Sequence, residues 1–133
     1  MKPACILVVD DNPTNLKLVS DLLAFEGHQM LAAMDAEQAS VVLAVVLPDL
    51  ILMDIALPGM DGLTYTRLLK ADPRTGHIRI VALTAFAMKG DEQKALAAGC
   101  DGYIIKPINT RSLPGEVAEF LTVRPAARPG VST

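Results

Sequence analysis

The sequence lacks the segments by which proteins attach to membranes or to nucleic acids. No apolar run approaches the ~20 residues that cross a bilayer, and the first residues, MKPACILVVDD, lead into two acids instead of a signal-peptide cleavage site. The 12 basic residues form no cluster and are outnumbered by 15 acidic residues, so the formal charge is −3. We therefore expect neither a membrane nor a nucleic acid as a partner, and we expect a cytoplasmic protein.

Cysteine and histidine are also scarce. Cys5 and Cys100 are the two cysteines of the chain, and in a cytoplasmic protein such a pair is usually reduced. We expect both to be core residues with free thiols. The two histidines, His28 and His77, fall at the starts of predicted loops, and we expect both on the solvated surface and neither as a phosphorylated group.

Short β-branched runs alternate with longer segments of helical period along most of the 133 residues. Because 51% of the residues are hydrophobic, the chain is long and apolar enough for one domain with a core. Parallel strands need crossover connections and read as continuous apolar runs. Five strand–helix units therefore predict an α/β fold with a doubly wound, five-stranded parallel sheet. The predicted strands are ACILVVD, HQMLAAM, DLILMD, IRIVALT and DGYIIK.

Residue types typical of helix ends support this division. Asn12 is a candidate cap of the first helix, which Gly27 ends, and Asp35 begins a capping box, DAEQ, at the second helix. The final segment, RPAARPGVST, is rich in proline and small residues. We therefore expect one folded domain over residues 1–122 and a disordered or linker-like tail over residues 123–133.

Polar side chains end four of the predicted strands at the same edge of the sheet. In the stretch LILMDIALPGMDG an aspartate ends a buried run just before the chain turns. Ligands of open parallel sheets bind beyond the carboxyl ends of the strands, where the strand order reverses. One polar residue at a strand end is usually a turn or a helix cap, but five at one edge predict a common site. These residues are Asp10, Asp11, Asp54, Thr84 and Lys106.

The charges of these residues indicate a metal site. Three carboxylates within ~4–6 Å of one another repel by about 3–4 kcal/mol per pair at an effective dielectric constant of ~20. Lys106 can offset one of these charges, and a divalent cation can offset the rest. Oxygen ligands without a nearby histidine or cysteine favour Mg²⁺. Such a site suits phosphoryl transfer, in which an aspartate can serve as the nucleophile.

The segments VVDDN, DLILMDIALPGMDG, VALTA and GYIIKPI resemble, in this order, the receiver domain of two-component response regulators. The resemblance covers residues 4 to about 122 and is strongest to single-domain cell-cycle receivers and to the receivers of hybrid histidine kinases. It implies a flavodoxin-like (βα)₅ receiver fold. It also implies a phosphoacceptor switch that takes its phosphoryl group from a histidine kinase or a histidine phosphotransfer protein. Such a switch signals by contact with a downstream protein target, without a DNA-binding output domain of its own.

The resemblance also assigns the residues that bind the phosphoryl group and the metal. It makes Asp54 the phosphoacceptor in a reaction that the domain itself catalyses, in both directions. Asp10 and Asp11 would hold Mg²⁺ together with Asp54 and the backbone carbonyl of Ala56.

The remaining family positions concern the switch. Thr84 and Lys106 would bind the phosphoryl oxygens, and the resemblance implies a cis peptide bond between Lys106 and Pro107. Tyr103 occupies the position of the switch aromatic residue, which would rotate when Thr84 moves toward the phosphoryl group.

Two other classes of protein share parts of this pattern. An aspartate-nucleophile phosphatase of the haloacid dehalogenase type carries a second aspartate two residues after the nucleophile, where this chain has Ala56. A flavodoxin-like cofactor binder needs a hydroxyl-rich phosphate loop after the first strand. The segment DDNPTN would instead repel a phosphate unless a metal intervened.

Overall fold

The computed structural model describes residues 3–85 and 90–122 of the chain. Within them, strands and helices alternate as the sequence predicts, and no helix is long and apolar enough to cross a membrane. The predicted tail at residues 123–133 lies outside the described residues. The strands are β1 (Cys5–Val9), β2 (Gln29–Ala33), β3 (Leu50–Asp54), β4 (Arg79–Thr84) and β5 (Gly102–Ile105). The helices are α1 (Pro13–Phe25), α2 (Ala36–Leu43), α3 (Gly62–Ala71), α4 (Asp91–Ala97) and α5 (Leu113–Thr122).

The five strands form one parallel sheet in the order β2-β1-β3-β4-β5, which confirms the predicted doubly wound fold. From β1 the chain moves outward to β2 and then returns to the other side of β1 to form β3. The strand order therefore reverses between β1 and β3. Their carboxyl ends lie side by side, since Val9 pairs with Met53.

Helices cover both faces of the sheet because side chains of successive strand residues point to opposite faces. Ile51 packs with residues of α2, α3 and α4, whereas its neighbour Leu52 packs with residues of α1 and α5. Every residue of β3 is buried. Full burial of one such leucine or isoleucine is worth about 1.5–3 kcal/mol, so the central strand is strongly fixed between its neighbours.

The predicted caps are present. The side-chain oxygen of Asn12 accepts hydrogen bonds from the backbone N–H groups of Thr14 and Asn15, at 2.9 and 3.1 Å, and thereby begins α1. The Oδ1 atom of Asp35 accepts from the N–H of Gln38 at 2.8 Å and begins α2. The Gln38 side chain reaches back to the N–H of Met34, one residue before the usual capping-box partner.

One expectation about the histidines and cysteines is wrong. His77 is exposed, as predicted, and both cysteines are free thiols. His28 is buried, because the turn after α1 runs back beneath the start of β1. There its Nδ1 accepts a hydrogen bond from the N–H of Ala4 at 3.0 Å.

A buried ion pair fixes the edge of the sheet opposite to the predicted site. The ammonium of Lys70 in α3 lies 3.0 Å from Oδ2 of Asp101, and their side chains are only 13% and 8% exposed. The same ammonium donates to the carbonyl of Ile78, and Oδ2 of Asp101 accepts from the N–H of Ile80. The pair therefore joins α3 to the amino ends of β4 and β5.

Candidate functional site

The three predicted acidic residues meet beyond the carboxyl ends of β1 and β3. One carboxylate oxygen from each of Asp10, Asp11 and Asp54 lies within 4.8 Å of the other two. Asp10 and Asp54 are 1% and 3% exposed, whereas Asp11 is exposed. The reversal of strand order brings them together, because it makes β1 and β3 neighbours although about 40 residues separate them in the chain.

Both oxygens of the Asp54 carboxylate are held in place. Oδ1 accepts a hydrogen bond from the backbone N–H of Ala56 at 2.9 Å. Oδ2 accepts one from the ammonium of Lys106 at 3.0 Å. These two contacts fix the orientation of a carboxylate that ends the central strand.

Lys106 joins the acidic cluster to the end of β4. Its ammonium also lies 3.2 Å from Oδ2 of Asp10, and its backbone N–H donates to the carbonyl of Thr84 at 2.7 Å. Burial lowers the pKa of Lys106, but the contacts with Asp54 and Asp10 outweigh it, so the net pKa lies above its ordinary value of 10.5. Lys106 is therefore cationic at neutral pH.

The environment of Asp10 fits a divalent cation. Its Oδ1 accepts from the N–H of Asn12 at 2.9 Å. Its Oδ2 is buried without a well-aligned hydrogen bond, so the Lys106 contact is an ion pair. Burial raises the pKa of Asp10, and the charge of Asp54 raises it further against the opposing effects of Asn12 and Lys106. Three carboxylates against one ammonium leave negative charge for an oxygen-liganded ion such as Mg²⁺ to neutralise.

The residues predicted to form the switch lie on the next two strands. Thr84 is buried at the end of β4 and pairs with Ile105, and the peptide bond between Lys106 and Pro107 is cis. Tyr103 pairs with Ala82, two residues before Thr84, so the two side chains share one face of the sheet. A hydrogen bond to Glu92 of α4 raises the pKa of the Tyr103 hydroxyl. Tyr103 thus contacts the helix next to the site.

Comparison with known proteins decides the family. The model of the response regulator receiver domain matches residues 6–118 of the chain. This chain is a response regulator receiver domain. The polar-differentiation response regulator DivK of Brucella anthropi is 43% identical to this receiver domain over 119 residues, which are 90% of this chain and 97% of DivK.

Solved structures give the same family. A putative response regulator from Chloroflexus aurantiacus is 30% identical, has a TM-score of 0.85, and covers 92% of this receiver domain with its whole length. The receiver domain of the sensor histidine kinase PA1611 from Pseudomonas aeruginosa is 32% identical with a TM-score of 0.81. The alignment covers 92% of this chain and 100% of that one, whose active site cleft holds a magnesium ion.

These matches confirm the predicted membership and its two closest groups, since they include a cell-cycle regulator and a kinase receiver. They also decide between the three classes of protein, in favour of the receiver and against the phosphatase and the cofactor binder. The roles of the individual site residues stay predictions.

Two contacts in the receiver site were not predicted from the sequence. The N–H of Asn12 binds Asp10 as well as beginning α1, so the helix start also fixes a site residue. Gly62, the first residue of α3, lies directly against the backbone of Asp54. The available signal for the second contact was a glycine, a poor helix former, at the start of an otherwise regular helix.

Proposed function

We propose that this receiver domain accepts a phosphoryl group on Asp54. The observation that carries the proposal is the placement of this carboxylate. It ends the buried central strand, and its two oxygens are held by the N–H of Ala56 and the ammonium of Lys106. A nucleophile whose orientation is fixed in this way favours attack on a bound phosphoryl group.

The metal ligands in this proposal are the carboxylates of Asp10, Asp11 and Asp54 and the backbone carbonyl of Ala56. Support comes from the convergence of the three carboxylates and from the magnesium ion of the PA1611 receiver domain. Mg²⁺ held there would balance charge on the transferring phosphoryl group.

In the transfer step, the phosphorus–nitrogen bond of a phosphohistidine breaks and a phosphorus–oxygen bond to Asp54 forms. The donor histidine keeps the electron pair of the broken bond and takes a proton from solvent. Lys106 and the hydroxyl of Thr84 bind the phosphoryl oxygens. Lys106 suits this role because it is cationic and already contacts the acceptor carboxylate.

The proposed donor is a histidine kinase or a histidine phosphotransfer protein in the cytoplasm, and the proposed receiver of the signal is a downstream protein. Phosphorylation adds about −1.5 to −2 charges at Asp54. Hydrogen bonds to charged groups contribute roughly 1.5–3 kcal/mol each, so new contacts from Thr84 and Lys106 contribute about 3–6 kcal/mol. Inverting a 1:99 population takes ~5.5 kcal/mol. Two contacts made only in the active state are therefore close to sufficient to move Tyr103 and the surface around it.

The test compares two aspartates on the same connection. Asp54→Asn should abolish labelling by acetyl phosphate or by a phosphorylated kinase. Asp61→Asn should keep it, because Asp61 caps α3 from an exposed position and asparagine caps equally well. Excess chelator should stop labelling of both the wild-type protein and Asp61→Asn. Full labelling of Asp54→Asn, or unchanged labelling in chelator, contradicts the proposal.

A further inference from the structure

Gly62 begins α3 against the peptide group that joins Asp54 to Ile55. A Cβ atom at position 62 would lie 2.2 Å from the carbonyl oxygen of Asp54 and 2.7 Å from the Cα of Ile55, whereas ordinary contacts begin at 3.4 Å. The N–H of Gly62 also donates to the carbonyl of Ile55 at 3.1 Å. Any side chain here must therefore displace backbone by about 1 Å.

The requirement for glycine at this position is one of space. Gly59, three residues earlier, has a positive φ of 72°, which favours glycine for its conformation. Gly62 is not among the glycines with positive φ, so its backbone conformation is open to any residue. Alanine is also the better helix former. The close approach to Asp54 is thus the feature that a side chain would disturb.

The first turn of α3 is itself held firmly. The carbonyl of Gly62 accepts a hydrogen bond from the buried hydroxyl of Thr66 at 2.8 Å, and the side chain of Asp61 caps the same turn. On the other side, the N–H of Ile55 donates to the carbonyl of Leu83 in β4 at 3.2 Å. A displacement therefore falls on the short connection after Asp54, which carries the N–H of Ala56.

We propose that Gly62 is a positioning residue for the phosphoacceptor. By lacking a side chain, it lets α3 seat the Asp54–Ile55 peptide so that the N–H of Ala56 reaches Oδ1 of Asp54 and the carbonyl of Ala56 faces the acidic cluster. This inference rests on the proposed function of Asp54. It assigns Gly62 a role through its neighbours, without contact to the phosphoryl group.

The test compares Gly62→Ala with Gly76→Ala. A Cβ at position 76 would lie 2.9 Å from the carbonyl oxygen of Lys70 and 3.0 Å from that of Asp72, so this variant is also crowded by backbone. Gly76 lies in the connection from α3 to β4, at the opposite edge of the sheet. Both variants should unfold at lower urea concentration than the wild-type protein. Only Gly62→Ala should also phosphorylate slower per folded molecule, by roughly 10²-fold for a 1 Å displacement.

A readout without metal or phosphodonor separates positioning from general destabilisation. The amide resonance of Ala56 reports its hydrogen bond to Asp54, so Gly62→Ala should shift it and Gly76→Ala should not. If Gly62→Ala does not fold, the wild-type protein decides, since the Gly62 amide should then shift in step with that of Ala56 as Mg²⁺ is added.

Two results overturn the inference while leaving the proposed function intact. One is a Gly62→Ala variant with the wild-type Ala56 resonance and the wild-type rate. The other is a wild-type Gly62 amide that stays unchanged at saturating Mg²⁺. A wild-type protein that takes no label at Asp54 would instead refute the proposed function.

Discussion

Replacing Lys106 with methionine removes the cation that lies between two buried carboxylates. The lysine ammonium is 3.0 Å from Asp54 and 3.2 Å from Asp10, and its side chain is 18% exposed. Methionine keeps most of the apolar stem and leaves the two carboxylates facing each other. The variant should therefore lose stability mainly through electrostatics when no metal is present.

The expected loss follows from the spacing of the carboxylates. At 4.8 Å and an effective dielectric constant of ~20, two unit charges repel by about 3.5 kcal/mol. Proton uptake limits the loss, since protonating Asp10 at pH 7 from an ordinary pKa of 3.8 costs about 4 kcal/mol at 1.36 kcal/mol per pH unit. We expect metal-free Lys106→Met to lose about 3–4 kcal/mol at pH 7.

The sign of the pH dependence follows from the raised pKa of Asp10. A carboxyl whose pKa is higher in the folded than in the unfolded protein stabilises the fold as pH falls through the folded value. At pH 5 protonation costs only about 2 kcal/mol, so the deficit of Lys106→Met should shrink between pH 7 and pH 5. Saturating Mg²⁺ at pH 7 should reduce it as well, because the added cation replaces the lost one.

Urea unfolding followed by circular dichroism measures these differences, with Lys17→Met as the control. Lys17 pairs with Asp21 on the exposed face of α1, and their side chains are 78% and 65% exposed. This control should leave the free energy of unfolding unchanged within error, since exposed ion pairs contribute little. A Lys106→Met deficit equal at pH 5 and pH 7, or unaffected by Mg²⁺, would refute the electrostatic account.

Two further predictions concern other parts of the fold. Lys70→Met should lose roughly 3–5 kcal/mol because it leaves the Asp101 carboxylate buried without its cation. Unlike the Lys106→Met deficit, this loss should not respond to Mg²⁺ in urea unfolding, and a response would contradict the separation of the two edges. Thr84→Ala should still be phosphorylated but lose most of the change in Tyr103 resonances on adding beryllofluoride. A full wild-type change would show that coupling runs elsewhere.

The strand ends and the helix caps could be predicted because their signals are local. An aspartate that ends an apolar run, as Asp54 does, is visible in the sequence, and so is the cap Asn12. Given five strand–helix units, the parallel topology then places all strand ends at one edge. The convergence of the acidic cluster thus needed no knowledge of individual side-chain contacts.

The contacts that could not be predicted join residues that are distant in sequence. Lys70 and Asp101 are 31 residues apart, and nothing near either one indicates the other. His28 is buried by the return of the chain beneath β1, which its neighbours in sequence do not indicate. The crowding at Gly62 depends on the angle at which α3 meets the end of β3. Each is a property of tertiary packing, and local patterns do not encode it.

The measurement that tests the central claim most directly is the chemical position of the phosphoryl group. The wild-type protein would be phosphorylated in the presence of Mg²⁺ and treated with borohydride, which reduces an acyl phosphate to an alcohol. Mass spectrometry of the digested protein then locates the reduced residue. The account predicts reduction at Asp54 and none in a sample phosphorylated in excess chelator. Reduction at Asp10 or Asp11, or phosphate retained on a histidine, would contradict it.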